Sequence, residues 1–185
     1  MIKEIRMGGT GGQGLILAGL VLAEAAGIYE GKEVIQVQEY GGAMRGGSVL
    51  SEILIGLKGE NILYPAVTKA DILLALSQEA ADRWTGAMKK DGCILYDVSN
   101  VMKVPPSTAK VYPAPITEMT KKKLGGELGI NMVALGMMRE ITEIVSREAL
   151  EWAVLQKAPK GSGEFNLQAL RHGFALAKET FPSKK

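Results

Sequence analysis

The chain has 185 residues, a length typical of one globular core, so we expect a single domain over residues 1–185. The formal net charge is only +2, and no run of Lys or Arg is interleaved with aromatic side chains, so nucleic acid is not expected as a partner. One cysteine and one histidine exclude an internal disulfide and are too few for a zinc or four-thiolate iron–sulfur site in this chain.

The first part of the chain predicts strands that run into glycine-rich segments. Residues 2–7 are typical of a strand, and a helix follows from residue 15 to residue 27 or 31 because small and apolar side chains recur at helical spacing. Residues 34–37 and 49–55 predict a second and a third strand. The first two strands each end at a cluster of glycines, so we expect an irregular loop at both places.

The rest of the chain alternates strands and helices and then becomes helical. Lys121-Lys122-Lys123 before Gly125 is typical of a helix C-terminus. These patterns predict an α/β fold: an open, doubly wound, mostly parallel sheet with helices on both faces and a helical C-terminal third. No apolar run approaches the ~20 residues of a membrane span, and the N-terminus lacks the apolar core of a signal peptide, so we expect a cytoplasmic protein. The predicted strands here are 71–76, 93–98 and 110–113, and the predicted helices are 78–89, 131–145, 147–156 and 165–181.

The first glycine-rich segment contains a literal G-x-G-x-x-G motif. Gly9, Gly11 and Gly14 form it between a predicted strand and a predicted helix, which is the context that this motif needs. Glycine permits a sharp turn, and bare N–H groups at a helix N-terminus can approach an anion closely. A dinucleotide site would also need an acid at the end of the second strand, where Glu39 lies. These residues alone leave nucleotide binding and a purely structural turn both open.

The second glycine-rich segment, residues 40–47, follows the second strand. Open α/β sheets bind ligands at the carboxyl ends of their strands, so we expect both loops to face the same crevice. The guanidinium of Arg45 is planar and permanently charged, so it could bind an anion through bidentate hydrogen bonds. The alternative is that Tyr40 packs on the sheet edge and Arg45 is an ordinary surface charge. The position of the motif favours a role in binding.

The chain combines four characteristic segments: the run Gly8-Gly9-Thr10-Gly11-Gly12-Gln13-Gly14, Tyr40-Gly41 with Arg45-Gly46-Gly47, Pro65 before residues 71–76, and Asn131 to Gly136. Together these segments resemble the gamma subunit of 2-oxoacid:ferredoxin oxidoreductases. The Y-G…R-G-G form is more similar to the 2-oxoglutarate and branched-chain 2-oxoacid enzymes than to the pyruvate enzymes. Gly42-Ala43 departs from the Pro-Glu found in many relatives, so a carboxylate is missing from this loop.

The resemblance implies a multi-subunit enzyme that converts a 2-oxoacid to an acyl-CoA. Thiamine diphosphate with Mg²⁺, iron–sulfur clusters and coenzyme A (CoA) would serve that complex, whose acceptor is ferredoxin. Alpha, beta and ferredoxin-like partner subunits would hold these cofactors, and this chain would bind none by itself and be inactive alone. The expected ligand or interface residues, with CoA as the possible ligand, are Gly9, Gly11, Gly12, Gln13, Gly14, Tyr40, Gly41, Arg45, Gly46 and Gly47.

Asn131 precedes an apolar helical run, so it is predicted to be that helix's N-cap.

Three alternatives to a 2-oxoglutarate-type subunit remain open. The first is a subunit of the 2-oxoisovalerate, pyruvate or indolepyruvate type. The second is a free-standing dinucleotide-binding protein that uses the first glycine loop and Glu39. The third is a structural subunit whose loops touch no ligand.

Overall fold

The computed structural model describes residues 1–41 and 46–182. Within these residues, the chain forms six strands and six α-helices, with a π-helical turn at Ala25–Tyr29 and a 3-10 turn at Thr85–Ala87. The strands are β1 (Lys3–Thr10), β2 (Glu33–Tyr40), β3 (Ser48–Gly56), β4 (Ala70–Ala75), β5 (Met88–Asp97) and β6 (Lys110–Ala114). The helices are α1 (Leu15–Glu24), α2 (Gln78–Trp84), α3 (Ile116–Leu124), α4 (Ile130–Thr142), α5 (Arg147–Lys157) and α6 (Gly163–Thr180).

The strands form one sheet in the order β2-β3-β1-β4-β5-β6. β1, β4, β5 and β6 are parallel to one another, whereas β3 is antiparallel to both of its neighbours, β1 and β2. Five strands therefore point the same way, and the expectation of a mostly parallel sheet is confirmed. The carboxyl ends of β1 and β2 consequently lie at the same edge of the sheet, which we call the carboxyl edge.

Helices cover both faces of the sheet, as predicted. Along β4, Ile72 and Leu74 pack in a core shared with α1, α4, α5 and α6, while Leu73 and Ala75 pack in a second core with Ala80 of α2. Alternate side chains of a strand point to opposite faces, so a strand buried on both sides is apolar throughout. This explains why residues 72–76 form a continuous apolar run.

One predicted helix is shorter in the structure, and the strand order was not addressed by the sequence. The predicted helix 78–89 ends at Trp84, because Met88 already pairs with Ala70 as part of β5. β2 does not lie beside β1, because β3 folds back antiparallel and takes the place between them. Strand pairing is not visible in hydrophobic periodicity, which reports the face that a residue occupies and not its neighbour.

The C-terminal third is helical, as predicted, and its helices pack closely. α4 and α6 cross where Gly136 faces Gly173, and a Cβ on Gly136 would lie 2.3 Å from the carbonyl oxygen of Leu170. α3 ends at a left-handed Gly125, as its lysine run indicated. No helix of the described residues is both long and apolar enough to cross a membrane.

Candidate functional site

The two glycine-rich loops meet at the carboxyl edge of the sheet. The N–H of Gly11, in the turn after β1, donates to the carbonyl oxygen of Gly47 at 2.8 Å. Gly41 N–H donates to Ser48 O at 2.7 Å and so closes the base of the second loop. The prediction that both loops face one crevice is confirmed.

A cleft of about 600 Å³ opens between these loops, and we call it the glycine cleft. One wall consists of main-chain atoms of Gly11, Gly12 and Gly14, and continues along the first turn of α1. Tyr40 lines the opposite wall and is 65% exposed. Gly42 to Arg45 lie outside the described residues, so the predicted role of Arg45 stays a prediction.

The glycine turn carries main-chain N–H donors at the N-terminus of α1. Gly14 precedes α1 in a left-handed conformation (φ 74°), and no side chain among the described residues caps the helix. The N–H groups of Gly12, Gly14 and Leu15 have no hydrogen-bond partner within residues 1–41 and 46–182. Free N–H groups and the positive end of the helix dipole together suit an anion.

Gln13 does not face the glycine cleft, although it was predicted as a ligand residue of the loop. Its side-chain oxygen accepts the N–H of Thr10 at 2.8 Å, and its amide nitrogen donates to Leu76 O at 3.1 Å. The carboxamide therefore joins the end of β1 to the end of β4. A Cβ on Gly9 would lie 2.3 Å from the Gln13 side-chain oxygen, so Gly9 leaves the room that this amide occupies.

This arrangement argues against the dinucleotide hypothesis. β1 is followed by a helix on one face and β4 by a helix on the other, so the gap between their carboxyl ends is the switch point where such folds bind ligands. The Gln13 carboxamide lies across that gap. Glu39, the proposed ribose-binding acid, lies on a strand that is not adjacent to β1, and it pairs with Arg83 at 3.7 Å.

Asn131 is not an N-cap, contrary to the prediction. α4 begins at Ile130, and the N-cap is Gly129 in a left-handed conformation (φ 89°) that favours glycine. Asn131 lies in the first turn, is 7% exposed, and donates from its amide nitrogen to Gly14 O at 3.0 Å. It remains a structural residue, but it connects α4 to the glycine turn instead of capping its own helix.

Asp97 is a buried polar residue near the site that the motif analysis missed. It ends β5 and accepts hydrogen bonds from the Thr117 hydroxyl at 2.5 Å and from the Asn100 amide at 2.9 Å. Asn100 and Thr117 line a polar pocket on the side of the glycine turn where Gln13 lies. The available signal was an acid directly after a buried strand, at the edge where ligand loops gather.

A buried ion pair supports the sheet beneath this edge. Arg6 of β1 lies opposite Glu52 of β3, and Arg6 Nε donates to Glu52 Oε1 at 2.6 Å. The guanidinium also donates to Val67 O and lies 4.1 Å from the centre of the Trp84 ring. In the described part of the chain, no three His, Cys, Asp or Glu side chains cluster as metal ligands would.

Fold and site together define an open α/β protein with an anion-compatible, glycine-lined cleft at the ligand edge of its sheet. The family model for pyruvate ferredoxin/flavodoxin oxidoreductase matches residues 4–176. The chain therefore belongs to the pyruvate ferredoxin/flavodoxin oxidoreductase family.

Individual relatives are similar over nearly the whole chain. The 2-oxoglutarate synthase subunit KorC of Methanocaldococcus jannaschii is 42% identical over 97% of this chain and 96% of its own length. The crystal structure of a keto/oxoacid ferredoxin oxidoreductase gamma subunit from Geobacter sulfurreducens has a TM-score of 0.82 at 42% identity, covering 96% of this chain and 99% of that one.

A 2-oxoglutarate:ferredoxin oxidoreductase from Magnetococcus marinus, solved with 2-oxoglutarate, coenzyme A and succinyl-CoA bound, also has a TM-score of 0.82. It is 27% identical, and the match covers 96% of this chain but 31% of that structure's chain.

Proposed function

We propose that this chain is the gamma subunit, a single domain, of a 2-oxoglutarate:ferredoxin oxidoreductase. The complex decarboxylates 2-oxoglutarate, transfers the succinyl group to CoA and passes the electrons singly to ferredoxin. The similarity to the Methanocaldococcus jannaschii and Geobacter sulfurreducens subunits supports this role. The 2-oxoglutarate type is preferred over the 2-oxoisovalerate, pyruvate and indolepyruvate types because the 42% identical relative is a 2-oxoglutarate synthase subunit.

The catalytic cofactors of the complex belong to its partners in this proposal. Alpha, beta and ferredoxin-like subunits hold the thiamine diphosphate, Mg²⁺ and iron–sulfur clusters, and the gamma subunit completes the active site beside them. The isolated chain is accordingly inactive. Its single cysteine and single histidine provide too few ligands for a four-thiolate cluster or a zinc site.

The observation that carries the proposed site is the glycine cleft, whose main-chain N–H donors have no partner in the described part of the chain. The N–H groups of Gly12, Gly14 and Leu15 lie together at the N-terminus of α1, where a phosphate group is favoured electrostatically. CoA carries phosphate groups and is a substrate of the reaction. We therefore assign the cleft to a CoA phosphate, with Tyr40 and Arg45 on the facing loop as further contacts.

Reconstitution tests the function. The complex assembled from its partner subunits with this chain should reduce ferredoxin when 2-oxoglutarate and CoA are both present, and omission of this chain should abolish that activity. Pyruvate, 2-oxoisovalerate and indolepyruvate serve as competing substrates. A higher kcat/KM for any of these three would reject the 2-oxoglutarate assignment, and saturable NAD(P) binding by the isolated chain would favour the dinucleotide hypothesis.

A charge placed on the cleft wall tests the site. Ile16 is half-buried in the first turn of α1 and lines the cleft. Ile16→Glu brings a negative charge next to the proposed phosphate, whereas Ile16→Gln is its neutral control of the same shape. Because an acid in the first turn is favourable for a helix, the fold should tolerate it. The KM for CoA should rise about tenfold more in the Glu variant than in the Gln variant, in line with a loss of ~1.4 kcal/mol; equal values would remove CoA from this cleft.

A further inference from the structure

Two carboxamides hold the glycine turn from the side away from the glycine cleft. Gln13 ties the turn to β1 through Thr10 N–H and to β4 through Leu76 O, at 2.8 and 3.1 Å. Asn131 ties the end of the turn to α4 through Gly14 O at 3.0 Å. The turn is therefore fixed to three separate elements by side-chain hydrogen bonds.

Neither carboxamide lines the glycine cleft. The cleft is lined by Gly12 and Gly14 but not by Gln13, which instead lines the polar pocket on the other side of the turn together with Gly12. Both polar atoms of the Gln13 amide already bind main-chain groups, and the Asn131 amide nitrogen binds Gly14 O. These side chains can therefore act on a ligand in the cleft only through the turn.

Two of the motif glycines are explained by these amides. A Cβ on Gly9 would lie 2.3 Å from the Gln13 side-chain oxygen, and a Cβ on Gly14 would lie 2.6 Å from the Asn131 amide nitrogen. A Cβ on Gly12, by contrast, would meet no atom within 4 Å among the described residues. Gly9 and Gly14 thus leave space for the amides, while Gly12 presents an open main chain to the cleft.

We propose that Gln13 and Asn131 are positioning residues that preorganise the glycine turn for binding. They hold the turn so that the N–H groups of Gly12 and Gly14 point into the cleft before the ligand arrives. If the turn had to become ordered when the ligand binds, the entropy cost would lower the affinity. Loss of the Gln13 or Asn131 hydrogen bonds should therefore weaken binding without altering the chemical step. This inference rests on the proposed function, since CoA is the ligand whose binding it affects.

Neutral, shape-matched variants test the proposal in the assembled complex. Gln13→Met and Asn131→Leu remove the hydrogen bonds at nearly constant side-chain volume. If one of the two variants fails to fold, the other still tests the proposal. Gln78→Met is the matched control, because the Gln78 amide likewise bridges main-chain groups, accepting Met102 N–H at 2.8 Å and donating to Lys103 O at 2.7 Å, but away from the turn. We expect the KM for CoA to rise about tenfold in the first two variants, with kcat at saturating CoA within about twofold of wild type.

Hydrogen exchange separates positioning from direct contact. In the full-length chain without CoA, amides of residues 9–16 should exchange faster in Gln13→Met and Asn131→Leu than in wild type or Gln78→Met. The exchange measurement does not depend on enzymatic activity. It therefore tests the positioning role of both residues even if the complex proves to use another substrate. The proposal is overturned if the KM for CoA is unchanged, if it rises while exchange stays at the wild-type rate, or if Gln78→Met gives the same rise.

Discussion

Replacing Gly14 by alanine tests the contact between the glycine turn and Asn131. The left-handed conformation of Gly14 (φ 74°) costs a residue with a Cβ roughly 1 kcal/mol. The new Cβ would also lie 2.6 Å from the Asn131 amide nitrogen and so force that side chain away from Gly14 O. Loss of this hydrogen bond leaves the amide of Asn131, a residue that is 7% exposed, partly unsatisfied and adds about 2 kcal/mol. We therefore expect Gly14→Ala to lower the free energy of unfolding by about 3 kcal/mol.

Gly125 provides the matched control for backbone strain. Its φ of 79° is close to that of Gly14, but a Cβ there would meet nothing within 4 Å among the described residues. Gly125→Ala should therefore cost only the conformational part, roughly 1 kcal/mol. The difference between the two variants corresponds to about 4–8 °C in melting temperature for a chain of this size.

Thermal and urea unfolding of the full-length variants measure both effects. In an Asn131→Ala background, the loss of unfolding free energy caused by Gly14→Ala should fall to the value for Gly125→Ala. Alanine at position 131 lacks the amide atoms that the new Cβ at position 14 would meet. Equal losses for Gly14→Ala and Gly125→Ala in the wild-type background would refute the reasoning that the Asn131 contact matters.

Three further predictions concern buried or paired groups. Glu52→Gln should destabilise the chain by about 3 kcal/mol because it leaves Arg6 as an uncompensated buried charge. In urea unfolding, the double variant Arg6→Met/Glu52→Leu should recover most of that loss. Burial, and to a lesser extent the charge of Asp71, raises the pKa of the Cys93 thiol to about 11. Iodoacetamide at pH 8 should therefore label Cys93 slowly in the native chain and rapidly in urea, and equal labelling rates would contradict this prediction. The hydrogen bond from Arg147 is the main cause that lowers the pKa of Glu140. The wild type should therefore be more stable than Glu140→Gln above about pH 4.5, and this difference in stability should shrink as the pH falls further. A constant difference down to pH 2 would contradict the assignment.

The meeting of the two glycine loops was predictable, whereas their supports were not. Strand direction alone places the carboxyl ends of parallel strands at one edge, so residues 8–14 and 40–47 could be brought together from the sequence. The hydrogen bonds of Gln13 and Asn131 connect residues 63 and 117 positions apart, and no local pattern reports such partners. The motif therefore located the turn, but it did not reveal that the Gln13 amide binds Thr10 and Leu76.

The sheet illustrates the same division between local and long-range information. Periodicity located the strands to within a few residues, because burial of one or both faces determines the apolar pattern. It did not reveal that β3 separates β1 from β2, since an antiparallel return and a parallel crossover leave similar patterns in a strand buried on both faces. The order of strands bears on Glu39, which the dinucleotide hypothesis requires near the first glycine loop. In the structure Glu39 lies on a strand that is not adjacent to β1 and pairs with Arg83.

A structure of the assembled complex with CoA bound tests the central claim most directly. Our account predicts a CoA phosphate within hydrogen-bond distance of the N–H groups of Gly12 and Gly14, with the Gln13 amide still joined to Thr10 and Leu76. A partner carboxylate in that position would assign the cleft to subunit assembly. CoA bound elsewhere, with the N–H groups of Gly12 and Gly14 in contact with solvent alone, would contradict the account.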